Sequence, residues 1–474
     1  QPNHRNCIVS NGSGPKQAVN VTNVTVTCNN AYTIGGAISG VPGTGLVLQN
    51  NGGDNLQVAS GVSSYTFSTP LATSAPYAVT VLSQPGGQDC TISGSSTGTV
   101  GIVDVTNVNI NCVGTPAALP EDSHVYTADF GASTATSYTA TGGALSARTT
   151  ATAGAGPSSI AVDPAGKYAY VTNQTANTIK AYSITAGTSV LGVLADVDAG
   201  TAGTQGTIAT GTTPVAITIH PSGKFAYVVN KISNSVSAYS IDASSGALAR
   251  IDANGSVVGN QTTIPTRLTP VAIAIHPDGG YAYVANADDN SVSVYGIDTL
   301  TGALTAIAAD GGVGSTYMLT NGTTPYSIKV DPSGQQLYVA NRATDNVSVF
   351  AIGAVYSGAL STPSVISVTD NSATTPISVA IHPTKLFAYV VNSGNNTVNV
   401  YDTATPGSLI PKSFAPTGSL PISISIDRSG QYAYVANSGD SSVSAYSINA
   451  TSGALSLVGT YLAGTSPYSV TTAP

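Results

Sequence analysis

The chain has 474 residues, of which only 8% are charged, and a net charge of −8. Lysine and arginine together number 14, too few for the clustered cations that a phosphate backbone demands, so nucleic-acid binding is excluded. No apolar run is long enough for a membrane-spanning helix, no signal peptide is visible, and Gln1 rather than Met stands first, as expected of a processed chain.

The 42% hydrophobic residues are enough for large cores. Ser, Thr, Asn and Gly take the solvated positions, and Glu121 is the lone glutamate. Such a bland surface fits an extracellular or cell-surface protein. The four cysteines fall into two pairs, Cys7 with Cys28 and Cys90 with Cys112, spaced 21 and 22 residues apart. The even count and matched spacing predict two local disulfides and an oxidising compartment. Neither C-x-x-C nor a nearby His cluster is present, so no metal or cofactor is expected.

In chain order, residues 1–30 come first and repeat only the end of the module at residues 31–114. QPNHRNC at Gln1–Cys7 parallels QPGGQDC at Gln84–Cys90, and TNVTVTC at Thr22–Cys28 parallels TNVNINC at Thr106–Cys112. They read as the terminal strands of a preceding module. Val19 and Val21, and after a shift Val24 and Val26, alternate with polar residues on a strand-like stretch that lacks the partners of a complete fold. Two readings are open: a remnant of a longer precursor, or a strand donated to another subunit. Residues 31–114 alternate apolar and polar residues between Gly/Pro/Asn turns, predicting a small immunoglobulin-like β-sandwich. Residues 115–122 form a linker.

Residues 123–474 repeat. Thr213–Leu248 (TPVAITIHPSGKFAYVVNKISNSVSAYSIDASSGAL) and Thr269–Leu304 (TPVAIAIHPDGGYAYVANADDNSVSVYGIDTLTGAL) are near copies. A Tyr-Val-x-Asn core recurs with asparagines Asn173, Asn230, Asn286, Asn341, Asn392 and Asn437, and a degenerate copy lies at Tyr126–Asp129. Each copy encodes four short strands, with a Pro-x-Gly turn after the first. Four antiparallel strands in about 50 residues make a propeller blade. The chain ends on GTSPYSVTTAP, which matches the first strand of a blade, while the first copy starts at a second strand. The last strand is therefore expected to complete the first blade, closing a seven-bladed, all-β ring.

These repeats resemble the YVTN-type repeat and, more broadly, lactonase-family seven-bladed propellers, here joined to N-terminal modules like those of bacterial surface proteins. The resemblance implies the fold, and it would imply hydrolase chemistry if an active site carried across. Family members often hold an acid just after the repeated asparagine. Here Gln174, Lys231, Ala287, Arg342, Ser393 and Ser438 stand there, and none is acidic. His220, His276 and His382, with Asp163, Asp331 and Asp427, share one repeat position before the turn. They line a rim as a candidate ligand site, or support the turn locally. The asparagines are expected to bond the following turn. No catalytic residue is assigned.

The expectation is thus a non-enzymatic extracellular surface or self-assembling structural protein, a filament subunit linked by β-strand pairing, with a surface glycan or protein as a further partner. A lactonase-like hydrolase and a carbohydrate- or peptide-binding propeller face are the alternatives.

Overall fold

The structure, a computed structural model, describes all residues except 1–4, 11–23, 41–45, 60, 84–88, 114–121, 199–205, 254–261, 308–315, 319–321, 354–359, 361–363, 368–374, 385 and 474. The chain is all-β and forms two compact units, Gln1–Ala118 and Leu119–Pro474. Among the described residues no helix is long and apolar enough to cross a membrane.

In the first unit, Gly35–Ser39, Ser64–Thr66, Asp89–Gly94 and Val108–Val113 make one sheet. Val47–Asn50, Asp54–Gln57, Pro76–Ser83 and Thr97–Thr99 make a second. Leu48, Phe67, Val79, Val108 and Ile110 fill the core they share. Gly35–Ser39 runs parallel to Val108–Val113. Cys90 and Cys112 lie directly opposite each other and are disulfide-bonded, as befits an oxidising compartment.

A third sheet corrects the picture of an unpartnered strand. Thr25–Tyr32 pairs antiparallel with Arg5–Ser10, placing Cys7 opposite Cys28, and its end continues onto Leu71–Ala72. Folding back within the chain satisfies the backbone donors and acceptors that a lone strand would leave open. Val26 lies inside this ladder and Val24 just before it, while Val19 and Val21 fall outside the described residues. The side chains of Cys7 and Cys28 also fall outside them.

Among the described residues the second unit contains seven sheets, four of four strands and three of five, the fifth being a second short strand on the outer side of the third strand. The inner strands are Pro467–Ala473, Pro157–Val162, Pro214–Ile219, Pro270–Ile275, Pro325–Val330, Pro376–Ile381 and Pro421–Ile426, numbered as blades 1 to 7. Each inner strand neighbours the next, and the last neighbours the first. Blade 1 joins the two ends of the unit: Pro467–Ala473 pairs with Asp122–Asp129.

Every inner strand opens on proline, which has no N–H to offer and so suits the first position of an edge strand. The residue before it is left-handed in each case: Thr213 (φ 60), Thr269, Thr324, Thr375, Leu420, Ser466 and, in blade 2, Gly156. For a non-glycine this costs on the order of 1 kcal/mol. The conformation presents its amide to the previous blade. The Thr213 N–H donates to Asn177 Oδ1 (2.7 Å), Thr269 to Asn234, Thr324 to Asn290, Thr375 to Asp345 and Leu420 to Asn396.

Tyrosines add a second set of ties between blades. Tyr170 donates to the carbonyl of Gly246, Tyr227 to Gly302 and Tyr389 to Gly453. From the third strands, Tyr182 reaches Thr152, Tyr239 reaches Ala209, Tyr295 reaches Pro265 and Tyr138 reaches Leu462. Each such bond contributes about 1 kcal/mol net, and the ring bodies add their apolar burial. The cores accordingly lie between blades: Tyr227 and Val236 of blade 3 pack with Val284 and Tyr295 of blade 4.

Candidate functional site: the central cavity

The six rim residues do not meet. His220 Nε2 donates to the Gly279 carbonyl at 2.9 Å, His276 to Gly334 at 2.8 Å and His382 to Gly430 at 2.8 Å. Each imidazole thus ties its blade to the turn glycine of the next. Those glycines have positive φ, and a Cβ on Gly279 would lie 2.5 Å from His220 Nε2, so only glycine fits. The Nδ1 atoms of His220 and His382 stay within their own turns, on Ser222 and Thr384, and His276 Nδ1 lies 2.7 Å from Asp278. Where aspartate replaces histidine, it folds onto its own turn. Asp163 accepts from the Lys167 and Tyr168 amides, Asp331 from Gln335 and Gln336, and Asp427 from Tyr432. Replacing His220, His276 or His382 by alanine is expected to cost about 1–2 kcal/mol each. Thermal unfolding reads this, and an unchanged Tm would contradict the tie.

The repeated asparagines are fully buried. Asn230 donates to Ser235 and Ser237, Asn437 to Ser442 and Ser444, and Asn173 accepts from Gly154. In blade 1 Asp129 takes this place among Thr127, Thr134 and Thr136; burial pushes its carboxyl up while the three hydroxyls oppose that.

The seven inner strands surround a cavity of about 450 Å³. Pro214 pairs with Asn230, so the residues after the asparagines stand at the end where inner strands begin, and the histidine turns stand at the other. Lys231 and Gln174 line that first end with Tyr326 and Tyr468. Arg342 stands at the same end with its guanidinium 5.5 Å over the Tyr326 ring, and Tyr468 packs on Phe130. Burial raises the Tyr326 hydroxyl, the nearby Tyr468 adds to this and Arg342 opposes it.

Deeper in, the wall is aliphatic and hydroxylic. Its one further charge among the described residues is Lys329, four residues along the inner strand from Pro325 and hence about 13 Å from its start. Lys329 is exposed to the cavity while protein encloses it, and burial pulls its ammonium below lysine's usual 10.5. No Asp, Glu or His lines the cavity among the described residues. Lys329 is therefore the titratable amine of the deeper wall, and its surroundings favour the neutral form more than water does.

Reading the residue after each asparagine missed Lys329. The repeats aligned in columns carry the signal. The fifth inner-strand position holds Ala161, Thr218, Ala274, Lys329, Ala380, Ser425 and Thr471, and a charge in only one copy of a symmetric ring marks a local specialisation.

The fold is a closed β-propeller whose inner strands enclose a central cavity with a lysine on its wall. The model of the family described as "Lactonase, 7-bladed beta-propeller" matches residues 117–319, 272–364 and 355–472. The chain belongs to that family. It is 30% identical over 142 residues to the 6-phosphogluconolactonase of Formosa agariphila, 30% of this chain and 36% of that one. It is 29% identical over 142 residues to that of Bacillus subtilis, 30% of this chain and 38% of the relative. The chain thus spans under two-fifths of the length of these two relatives. A periplasmic gluconolactonase from Pseudomonas aeruginosa shares the fold, with a TM-score of 0.59 at 16% identity over 74% of this chain and 99% of that one.

These findings overturn the expectation of a non-enzymatic structural or filament protein. That expectation rested in part on the missing acids after the asparagines, but those positions reach only the mouth, with Gln174 and Lys231, and the inner strands make the rest of the wall.

Proposed function

We propose that the propeller hydrolyses lactones of sugar acids in its central cavity. The observation that carries this reading is Lys329, a lysine with a depressed pKa inside the cavity of a lactonase-family ring. The neutral amine takes a proton from water as the water oxygen attacks the lactone carbonyl carbon. The tetrahedral oxyanion then collapses, the ring C–O bond breaks, and the ammonium returns its proton to the departing alkoxide. The carboxylic acid formed ionises to solvent. A positioned base of this kind contributes about 10²–10⁴-fold.

At the mouth, Lys231 is the group for a phosphate on the substrate, the ester carried by the substrate for which the two relatives are named. The test compares δ-gluconolactone with its 6-phosphate on the full chain. Lys231→Met is expected to raise KM about tenfold for the phosphorylated lactone alone. Equal effects on both substrates would remove Lys231 from that role, and hydrolysis of neither would overturn the lactonase reading.

For the first unit we favour an immunoglobulin-like sandwich, supported by two sheets around one core and the parallel pairing of Gly35–Ser39 with Val108–Val113. Residues 1–30 are read as the end of a second copy, supported by the Cys7–Cys28 register that repeats that of Cys90 and Cys112. With a disulfide and so few charges, the chain is assigned to the extracellular space or cell surface.

A further inference from the structure

An inner strand is the edge of its blade, and every second amide points away from the sheet into the ring. In four blades a serine of the preceding blade covers one such amide. The Ile217 N–H donates to Ser159 Oγ (3.3 Å), Val379 to Ser327 (3.2 Å), Val470 to Ser423 (3.2 Å) and Ile160 to Ser469 (3.4 Å). These serines all occupy the third inner-strand position; Ser378 stands there in blade 6 too, but among the described residues it does not close this bond on the Ile424 amide.

Blades 3 and 4 depart from the pattern: Ala216 and Ala272 stand there, with no acceptor to offer. The amides they would cover belong to Ile273 and Ile328. Both occupy the register of Ile217, which pairs with Val228; Ile273 pairs with Val284 and Ile328 with Val339. All four residues line the cavity, blades 4 and 5 are neighbours, and Ile328 directly precedes Lys329. Two uncovered backbone donors and the one ammonium of the deep wall therefore share one sector.

We infer that the amides of Ile273 and Ile328 form an oxyanion subsite beside Lys329, receiving the carbonyl oxygen of a lactone as it becomes negative. This rests on the lactonase reading and adds the group that stabilises its tetrahedral intermediate. Fixed backbone donors in an enclosed cavity suit developing charge, because they need no reorganisation when it forms. The absence of any carboxylate from the described lining leaves that charge unopposed.

The test restores the missing covers. Ala216→Ser and Ala272→Ser give each amide the hydroxyl that the other blades supply. Each is expected to lower kcat for gluconolactone, by about 10²-fold where the amide is fully captured, with KM little changed. Ser423→Ala, which uncovers the Val470 amide in another sector, is expected to leave kcat as it is. An unchanged kcat in both alanine-to-serine variants, whose folding is checked by their melting curves, overturns the subsite while leaving the lactonase reading standing. Should the wild-type chain open no lactone, that reading falls, and the subsite is judged by titrating gluconate and following the amide resonances. Binding that weakens at least tenfold in the double variant supports the subsite. Equal affinity, or no binding to the wild-type chain, overturns it.

Discussion

Removing Pro467–Ala473 is expected to cost the propeller its fold. This strand is the inner strand of blade 1, yet it comes from the far end of the unit from its partner Asp122–Asp129. Its neighbours on either side are the inner strands of blades 7 and 2. Val470 packs with Val125, Tyr138 and Tyr434, Ala473 packs with Tyr126, and Ser469 accepts the Ile160 amide. Losing the buried Val470 alone forfeits about 1.5–3 kcal/mol. Each backbone bond of the ladder adds roughly 1 kcal/mol, and the cut opens two blade interfaces together. The sum approaches the roughly 5–15 kcal/mol that a whole domain has in reserve. Circular dichroism melting of the truncated chain should show no cooperative propeller transition, with aggregation through the exposed edges. A synthetic peptide covering Gly464–Pro474 should restore part of it. A native-like melt without the strand would show that blade 1 does not hold the ring closed.

Lys329→Met is expected to lower kcat by about 10³-fold, the middle of the range for a positioned base. Methionine keeps the length and apolar body while removing the proton site. The pH dependence comes from the direction of the shift. The active form is the neutral amine, so activity rises with pH, and because burial holds the group low, its midpoint lies below lysine's usual 10.5. The variant loses this rising limb. Stability moves in a linked way. Between the folded midpoint and 10.5 the unfolded chain binds more protons than the folded one, so stability increases with pH across that window. At lower pH the cost of an enclosed ammonium is present in full. Lys329→Met should therefore melt higher than the wild-type chain at neutral pH while turning over more slowly, as expected where an active group is held at the expense of stability. A variant that keeps the rising limb would assign the titration to another group.

The fold was legible because propeller geometry writes itself into local signals. Pro-x-Gly turns, paired aromatics such as Phe225 and Tyr227, and the Tyr-Val-x-Asn core recur with the blade period. Pro467 matching the other strand-opening prolines pointed to where the ring joins. Ties between blades are also visible in retrospect: Asn177, Asn234 and Asn290 precede each third strand, and each meets a residue that lies 34–36 positions later.

The site was harder to read because it is assembled from one or two residues of each inner strand. Lys329, Ile273 and Ala216 lie far apart in sequence and share one cavity only through the ring. The position after each asparagine lies at the mouth, where Lys231 stands, and not on the wall. Low charge reads as the mark of an extracellular surface. It has another physical consequence: in a cavity almost free of charge, burial lowers the pKa of a lysine with no counter-ion among the described residues to oppose it. The strand from Thr25 misled for a similar reason, since its partners at Arg5–Ser10 and Leu71–Ala72 lie on either side of it in sequence.

The most direct test of the account is the initial rate of δ-gluconolactone opening by the full chain, followed by proton release with the spontaneous rate subtracted. The account predicts saturable turnover that rises with pH and falls about 10³-fold in Lys329→Met. A wild-type rate no greater than that of the Lys329→Met variant would contradict it.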